Sequence, residues 1–182
     1  MFAKFDKSAK LVVIGALRAA EKAKSPQIAE EHVVMGLLDQ DDSRAAVVLA
    51  PHHVPKDEVS QAYRNAAKVG GMSQSDAAAL KELGIDLDEV IASVRRDHGE
   101  DALAAPLRGM RRGGRTRGFT EDVRKIIVNA MREAQELGDR HLGDEHLLLA
   151  LLSGGTVAAD ALAAHGVSYE SVRSQLTHMH DK

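Results

Sequence analysis

The sequence predicts an all-α fold made of two related halves, and three observations carry that expectation. Sliding the chain against itself by 114 residues puts Phe119 on Phe5, Ala130 on Ala16, Ala134 on Ala20, Glu145 on Glu31, His146 on His32 and Leu151 on Leu37. Internal repetition of that kind decides a fold before any single residue does. The 44% apolar content is dominated by Ala, Leu and Val, with three Phe, two Tyr, no Trp and only four Pro, a balance that favours helices over strands. The apolar residues also recur at helical spacing. At 182 residues the chain fits one domain, or two small ones sharing a core.

The first half opens with Asp6 as N-cap, after which Ala9, Val12, Val13, Ala16, Leu17, Ala20 and Ala23 form one helix face. Each has a counterpart in the second half, at Val123, Ile126, Ile127, Ala130, Met131, Ala134 and Leu137, so the buried face itself repeats. Thr120 caps the second copy, and Glu121 and Asp122 follow where the helix dipole favours acids. Past a polar turn, Ile28 and Leu142 each lead into a short apolar helix, predicted over Glu30 to Asp39 and Asp144 to Ser153. Asp144 reads as a good N-cap and Glu30 as a poor one, so the first copy is expected to fray more at that end. Gly36 and Ala150 share a small-residue slot that suits a close helix crossing.

A helix–break–helix unit then occurs in three copies. Ala161 to Leu176 aligns with Ala79 to Val94 and more loosely with Val48 to Tyr63. Leu162, Leu80 and Leu49 coincide, then Val167, Ile85 and Val54, then Val172, Val90 and Val59. Gly166 and Gly84 mark the break as C′ residues, Pro55 fits the first turn after His53-Val54, and Asp86 with Glu89 has capping-box spacing. Met72 to Val94 is therefore a duplicated half-unit. Gly109 to Gly118 reads as a linker; with Arg108 it holds Arg111, Arg112, Arg115, Arg117 and four glycines, and no acid lies between Asp101 and Glu121. The expected division is 1–68 for the first repeat, 69–107 for a helical insert, 108–118 for the Arg/Gly-rich linker and 119–182 for the second repeat.

Cys is absent, which excludes a disulfide frame, a thiolate nucleophile and a Cys-based zinc site. No run approaches the roughly 20 apolar residues of a membrane helix, and MFAKFDKS has no signal-like apolar region, so a cytoplasmic protein with no membrane partner is expected. The net charge of −3 is too small to name a partner.

Phe119-Thr120, the Ala-rich helix through Ala130 and Ala134, the turn Gly143-Asp144-Glu145-His146 and the apolar run Leu147 to Leu152 resemble the repeat of the Clp ATPase N-terminal domain, the substrate-receiving domain of ClpA/ClpC-type unfoldases. The first half matches through Phe5-Asp6, Ala29-Glu30-Glu31-His32 and Val33 to Leu38, and Phe2 with Phe5 matches the Met-Phe-x-x-Phe opening of ClpC-type proteins. The match covers roughly residues 1 to 65 and 119 to 178. It implies an all-α fold in which two four-helix Clp repeats pack about a pseudo-twofold axis into one globule, here with an extra helical insert between them. Helix-packing arguments agree, because each repeat has an apolar face too wide to leave exposed. No G-x-x-x-x-G-K-S/T occurs, and 182 residues leave no room for an ATPase module. Taken as complete, the chain has no motor and acts by binding, alone or in trans to a full-length unfoldase.

Two sets of residues follow from the resemblance. The pairs Glu31-His32 and Glu145-His146 match positions where ClpC-type proteins recognise phosphorylated arginine, with the carboxylate on the guanidinium and helix-start N–H groups on the phosphate. The family's Thr is here Glu30 in one copy and Asp144 in the other, a like charge where phosphate sits. The competing reading makes Glu31 and Glu145 first-turn helix acids and His32 and His146 half-buried packing residues. Phe2, Phe119 and Arg124 match the positions at which actinobacterial members bind cyclic-peptide antibiotics, with Arg in place of Lys. Against that, Phe119 serves equally as a hydrophobic staple before Thr120, and Phe2 as part of a loose terminus.

The arginine strap admits nucleic acid, but no aromatic residues alternate with its arginines, and a solvated linker is the better reading. His52-His53, His178-x-His180 and His141 with His146 lack a third ligand at metal-site spacing, and no G-x-S-x-G or organised triad occurs. No metal, cofactor or catalytic residue is therefore expected. The expected function is non-enzymatic binding of a peptide or unfolded segment, a cyclic peptide, or a Clp unfoldase or adaptor, with a decoy or a trans-acting modulator of the Clp protease as sharper forms. The cross-class alternative is a nucleic-acid-associated regulator acting through Arg108 to Arg117.

Overall fold

In the computed structural model, which describes residues 4–98 and 118–180, the chain is built from helices, and the described residues contain no strand beyond two isolated bridges. Helix α1 (Lys7–Lys22) begins at Asp6, whose carboxylate accepts the Ala9 N–H at 2.8 Å. Ala9, Val12, Ala16 and Ala20 are buried and Val13 and Leu17 pack at the edge of the core, as the stripe predicts. Ala23 departs from it, being exposed at the C-cap, because the helix ends before its face turns inward again. Helix α2 (Glu30–Leu38) crosses α1 at a pair of glycines: a Cβ on Gly36 would lie 2.4 Å from the Val12 carbonyl oxygen. The close crossing expected at that slot therefore exists in the first repeat.

Helices α3 (Arg44–Leu49) and α4 (Lys56–Lys68) complete the first repeat around a short 3-10 turn at Ala50–His52, with Pro55 at the N-cap of α4 and not in its first turn. The second repeat follows the same order with α7 (Glu121–Glu136), α8 (Asp144–Leu152), α9 (Val157–Ala163) and α10 (Tyr169–His180). Thr120 Oγ1 accepts the Val123 N–H, the capping expected from sequence. Between the repeats lie α5 (Gln74–Glu82) and α6 (Leu87–His98), with Asp86 Oδ1 accepting the Asp88 and Glu89 N–H groups.

The pseudo-twofold relation is visible in two short parallel bridges, Phe5 with Leu142 and Ile28 with Phe119. The Asp6 N–H donates to the Leu142 carbonyl and the Leu142 N–H to the Lys4 carbonyl; the Ile28 N–H donates to Gly118 and the Thr120 N–H to Ile28. Phe5 is equivalent to Phe119 and Ile28 to Leu142, so each repeat pairs the start of its first helix with the entry to the other repeat's second helix. Such exchange satisfies the Asp6, Ile28, Thr120 and Leu142 N–H groups where the halves meet.

Three half-units share one backbone solution at the break. Gly84 (φ 81°), Gly166 (φ 78°) and His53 (φ 46°) are all left-handed, a conformation glycine takes without strain. Burial does not repeat as faithfully. Val167 and Val172 are fully buried, whereas their insert counterparts Ile85 and Val90 are 42% and 46% exposed. Of the described side chains in α5 and α6, Ile91 alone is buried. The insert carries the pattern of the repeat without a second layer to cover it.

The expected caps of α2 and α8 need correction. Glu30 and Asp144 are the first helical residues, and the N-caps are Ala29 and Gly143. The first turn is closed by the histidine three residues on: His32 Nδ1 accepts the Ala29 N–H and His146 Nδ1 accepts the Gly143 N–H, each at 2.9 Å. Both copies therefore start alike, and Glu30 is anchored and not a source of fraying. Among the described residues no single helix is long and apolar enough to cross a membrane.

Candidate functional site

Two concave surfaces flank the repeat interface. The first is an apolar groove of about 500 Å³ between α4, α5 and α9, walled by Ala62, Ala66, Val69, Met72, Ala77 and Ala161. Glu58, Lys81 and Asp160 lie on its polar edge. The insert is held against α9 there by the Ser75 N–H, which donates to Asp160 Oδ2 at 2.9 Å. Small alanines leave the floor open while the backbones stay close, so the groove is apolar without being filled.

The second surface is a cleft of about 750 Å³ at the start of α8, bounded by α3, the α1 N-cap and the turn before α8. Five carboxyl groups line it, from Asp6, Asp42, Asp139, Asp144 and Glu145, with Arg44 and Arg140 opposing them. Arg44 Nη1 stands 3.2 Å from Glu145 Oε1 and 3.8 Å from Asp139 Oδ2. Glu145 is buried, and its side chain folds back over Gly143, where a Cβ would meet Oε2 at 2.2 Å. Burial pushes the Glu145 carboxyl up to about 7, with the adjacent Asp144 adding to the rise and Arg44 opposing it.

His146 is fully buried, not half-buried, and burial lowers its pKa. Because its Nδ1 accepts the Gly143 N–H, the neutral ring carries its proton on Nε2, which faces Asp139 Oδ2 at 3.1 Å. Asp139, Glu145 and His146 bring three donor atoms within 4.8 Å of one another. That tautomer leaves no lone pair on the inward nitrogen for a metal ion, so the trio is a hydrogen-bonded start of a helix. His141, paired with His146 in the sequence, is exposed and apart from it in burial.

At the equivalent place in the first repeat, Glu31 is 44% exposed and 3.3 Å from Nε2 of the buried His32. Glu30 turns inward instead: its Oε1 accepts from the Tyr63 hydroxyl at 2.5 Å and from the Ala158 N–H at 3.2 Å. Burial, then the Glu30 charge, pushes the Tyr63 phenol well above its usual range. Sequence reasoning missed Tyr63, Arg44 and Asp139. Tyr63 was findable, being one of two tyrosines and facing Leu176 in the aligned half-unit; Arg44 lies 101 residues from Glu145 and left no local signal.

Of the aromatic–basic patch, Phe119 is half-buried, packs against the core and forms the bridge to Ile28. Arg124 is exposed on α7, 4.0 Å from Glu121. Phe2 lies outside the described residues, as do Arg108, Arg111, Arg112, Arg115 and Arg117 of the strap.

Comparison with known proteins gives one answer. The family described as Clp repeat (R) N-terminal domain matches residues 4–77 and 118–182. The chain is 25% identical over 180 residues to the chaperone protein ClpC2, chloroplastic, of Oryza sativa subsp. japonica, covering 98% of this chain and 15% of that protein. It is 28% identical over 158 residues to the chaperone protein ClpB of Corynebacterium diphtheriae, covering 87% of this chain and 14% of that one. The chain thus spans about 15% of the length of such relatives. Among solved structures, the ClpV N-domain in complex with VipB peptide aligns with TM-score 0.54 and 17% identity over 96% of this chain and 86% of that one. The N-terminal domain of ClpD from Arabidopsis thaliana aligns with TM-score 0.50 and 13% identity over 97% and 96%. With matching repeats in both halves and the four-helix order in each, the chain belongs to the Clp N-terminal repeat domain family.

Proposed function

We propose that the chain is a non-catalytic, cytoplasmic module that receives a peptide, an unfolded segment or an adaptor in connection with a Clp-type unfoldase. The observation that carries this reading is the open apolar groove between α4, α5 and α9, a concave surface with small walls and a charged edge. The likeness of the fold to an N-domain solved with a peptide supports it. In this reading the division at 1–68, 69–107, 108–118 and 119–182 stands, and the insert supplies one wall of the groove. Fluorescence anisotropy with labelled unfolded casein tests it. Groove-filling Ala62→Trp and Ala77→Trp are expected to weaken binding by about tenfold or more, a loss of ~1.4 kcal/mol. Equal affinity for both variants and the parent chain overturns it.

A finer form is a decoy that takes up cyclic peptides active on ClpC-type unfoldases through Phe2, Phe119 and Arg124, or a modulator of the Clp protease in trans. The exposed Arg124, five residues after Phe119, supports it, since a planar cation and an aromatic side chain suit a peptide ligand. Equal cyclic-peptide affinity for the parent chain and a Phe2→Ala, Phe119→Ala double variant ends that form. Glu31, His32, Glu145 and His146 remain the proposed charged-ligand positions. A low-salt gel shift with single-stranded RNA decides the nucleic-acid alternative through Arg108 to Arg117.

A further inference from the structure

Two exposed patches of opposite charge lie on different parts of the chain, and neither recurs in its duplicated counterpart. The first is the outer face of α1, where Leu11 and Ile14 are 42% and 45% exposed. Lys7, Leu11, Ile14, Arg18 and Lys22 follow at steps of three or four and so form one stripe, with Lys10 beside it. Glu21 is the one acid within the helix. On α7 the aligned cations are held by their own first turn, Arg124 by Glu121 and Lys125 by Asp122. In α1 those two acids are replaced by Lys7 and Ser8, and Leu11 stands where α7 has Lys125. The first repeat alone therefore presents aliphatic side chains among unshared positive charges.

The second patch is the turn between α5 and α6. The Ile85 N–H donates to the Leu80 carbonyl and the Gly84 N–H to that of Lys81, the pairing that ends a helix at a left-handed glycine and draws Leu80 and Ile85 together. Asp86 then starts α6, so Ile85 and Val90 hold the positions of a hydrophobic staple. Ile85 and Val90 are nonetheless exposed, and Leu83 between the helices is 77% exposed. Exposed Glu82, Asp86, Asp88 and Glu89 surround them, and residues 82–90 contain no cation; Lys81 borders them at the groove edge. In the aligned half-unit Glu82, Asp86 and Glu89 become Ala164, Ser168 and Ser171, and Val167 and Val172 are buried.

We propose that the α1 face of one copy of this chain docks on the α5–α6 turn of a second copy, a head-to-tail contact with aliphatic side chains at its centre and opposite charges around them. Charge complementarity selects this pairing. Two α1 faces would oppose cations to cations, and two turns would oppose acids to acids, whereas the mixed contact matches in sign. Both patches are exposed within one chain, so they do not cover each other. The second copy supplies the layer that the insert lacks. A head-to-tail contact leaves one free face at each end and therefore continues past a dimer. This surface shares only Asp86 and Asp88 with the apolar groove, so the inference stands apart from the peptide-receiving reading.

Sedimentation velocity of the full chain over a concentration series tests it. In about 50 mM salt the parent is expected to form species that grow beyond a dimer, and about 500 mM salt to weaken association by roughly tenfold or more. Lys10→Glu with Arg18→Glu reverses the α1 face, and Glu82→Lys with Glu89→Lys reverses the turn. All four sites are exposed and none lines the groove, so circular dichroism and casein binding should match the parent. Each double variant alone is expected to stay monomeric, while their equimolar mixture, and the chain carrying all four changes, regain assembly. Leu83→Ser should weaken association by about fivefold. Replacing Arg108, Arg111, Arg112, Arg115 and Arg117 with Gln should leave it unchanged. A parent that is monomeric at every concentration, a double variant that still assembles, or a mixture that stays monomeric overturns the inference. So does loss of assembly in the Gln-substituted chain, which would make the strap and not α1 the cationic face.

Discussion

Helix α2 in the first repeat and α8 in the second begin with the same Glu-His pair and the same histidine-closed turn, but their surroundings differ. Around α2 the leading acid is bonded to Tyr63 and to the other repeat, and Glu31 faces solvent. Around α8 the leading acid is fully buried beside Glu145, which is itself buried beneath Arg44. The two helices also cross their partners differently. In the first repeat Gly15 and Gly36 let backbones touch, whereas the aligned residues in the second are Asn129 and Ala150. Duplication has kept the residues that set helix starts and buried faces, while the partners that finish each site have diverged. In one half the leading acid is tied to the other repeat, and in the other half two buried acids sit side by side.

The largest expected effect lies at the glycine crossing. A Cβ at Gly36 meets backbone atoms, Val12 O at 2.4 Å and Ala16 N at 2.7 Å, which a rotamer change does not relieve. Gly36→Ala is expected to cost about 3 kcal/mol in urea unfolding, against about 1 kcal/mol for the helix-propensity loss of Ala150→Gly. Equal costs would show that the two crossings are alike after all. Next comes the contrast between repeat and insert. Val167→Ala, at a fully buried site, should cost roughly 2 kcal/mol, and Ile85→Ala, at the aligned exposed site, less than about 0.5 kcal/mol.

A pH series separates the two glutamates. The Glu145 carboxyl is raised from its ordinary value to about 7, so the folded state holds this proton more tightly than the unfolded chain. The resulting stability is fully present below about pH 4.5 and is lost as pH rises through about 7. Glu145→Gln should therefore raise Tm relative to the parent at pH 8 by an amount equivalent to about 1–3 kcal/mol, and change it little at pH 4. A gain that persists unchanged at pH 4 contradicts this assignment. The smallest effect is expected for Tyr63→Phe, which leaves Glu30 with the Ala158 N–H only and should cost about 1 kcal/mol. No such loss would mean that Glu30 is no better satisfied than Asp144.

Much of the scaffold was legible because it is written in local chemistry. Asp6 and Thr120 act as caps through their own side chains, and the stripe from Ala9 to Ala20 follows helical spacing. The caps of α2 and α8 were misplaced by one residue because His32 and His146 close the turn from inside the helix, an unusual substitute for a Ser, Thr or Asp at the boundary. Of the site, the sequence pointed to Glu145 and His146 but to neither Arg44 nor Asp139, since side chains joined only by folding share no spacing.

What the sequence by itself determined is the class of the molecule: helical stripes, caps and a 114-residue repeat recur in the chain, and periodicity is a one-dimensional property. Only the tertiary structure decided which copies of that pattern are covered and which acids are satisfied. Ile85 and Val167 carry the same signal, yet one is exposed and the other buried, and Glu30 and Asp144 share a slot but not a donor. Burial and hydrogen bonding depend on what arrives from the other repeat, and that is set by packing across the pseudo-twofold axis.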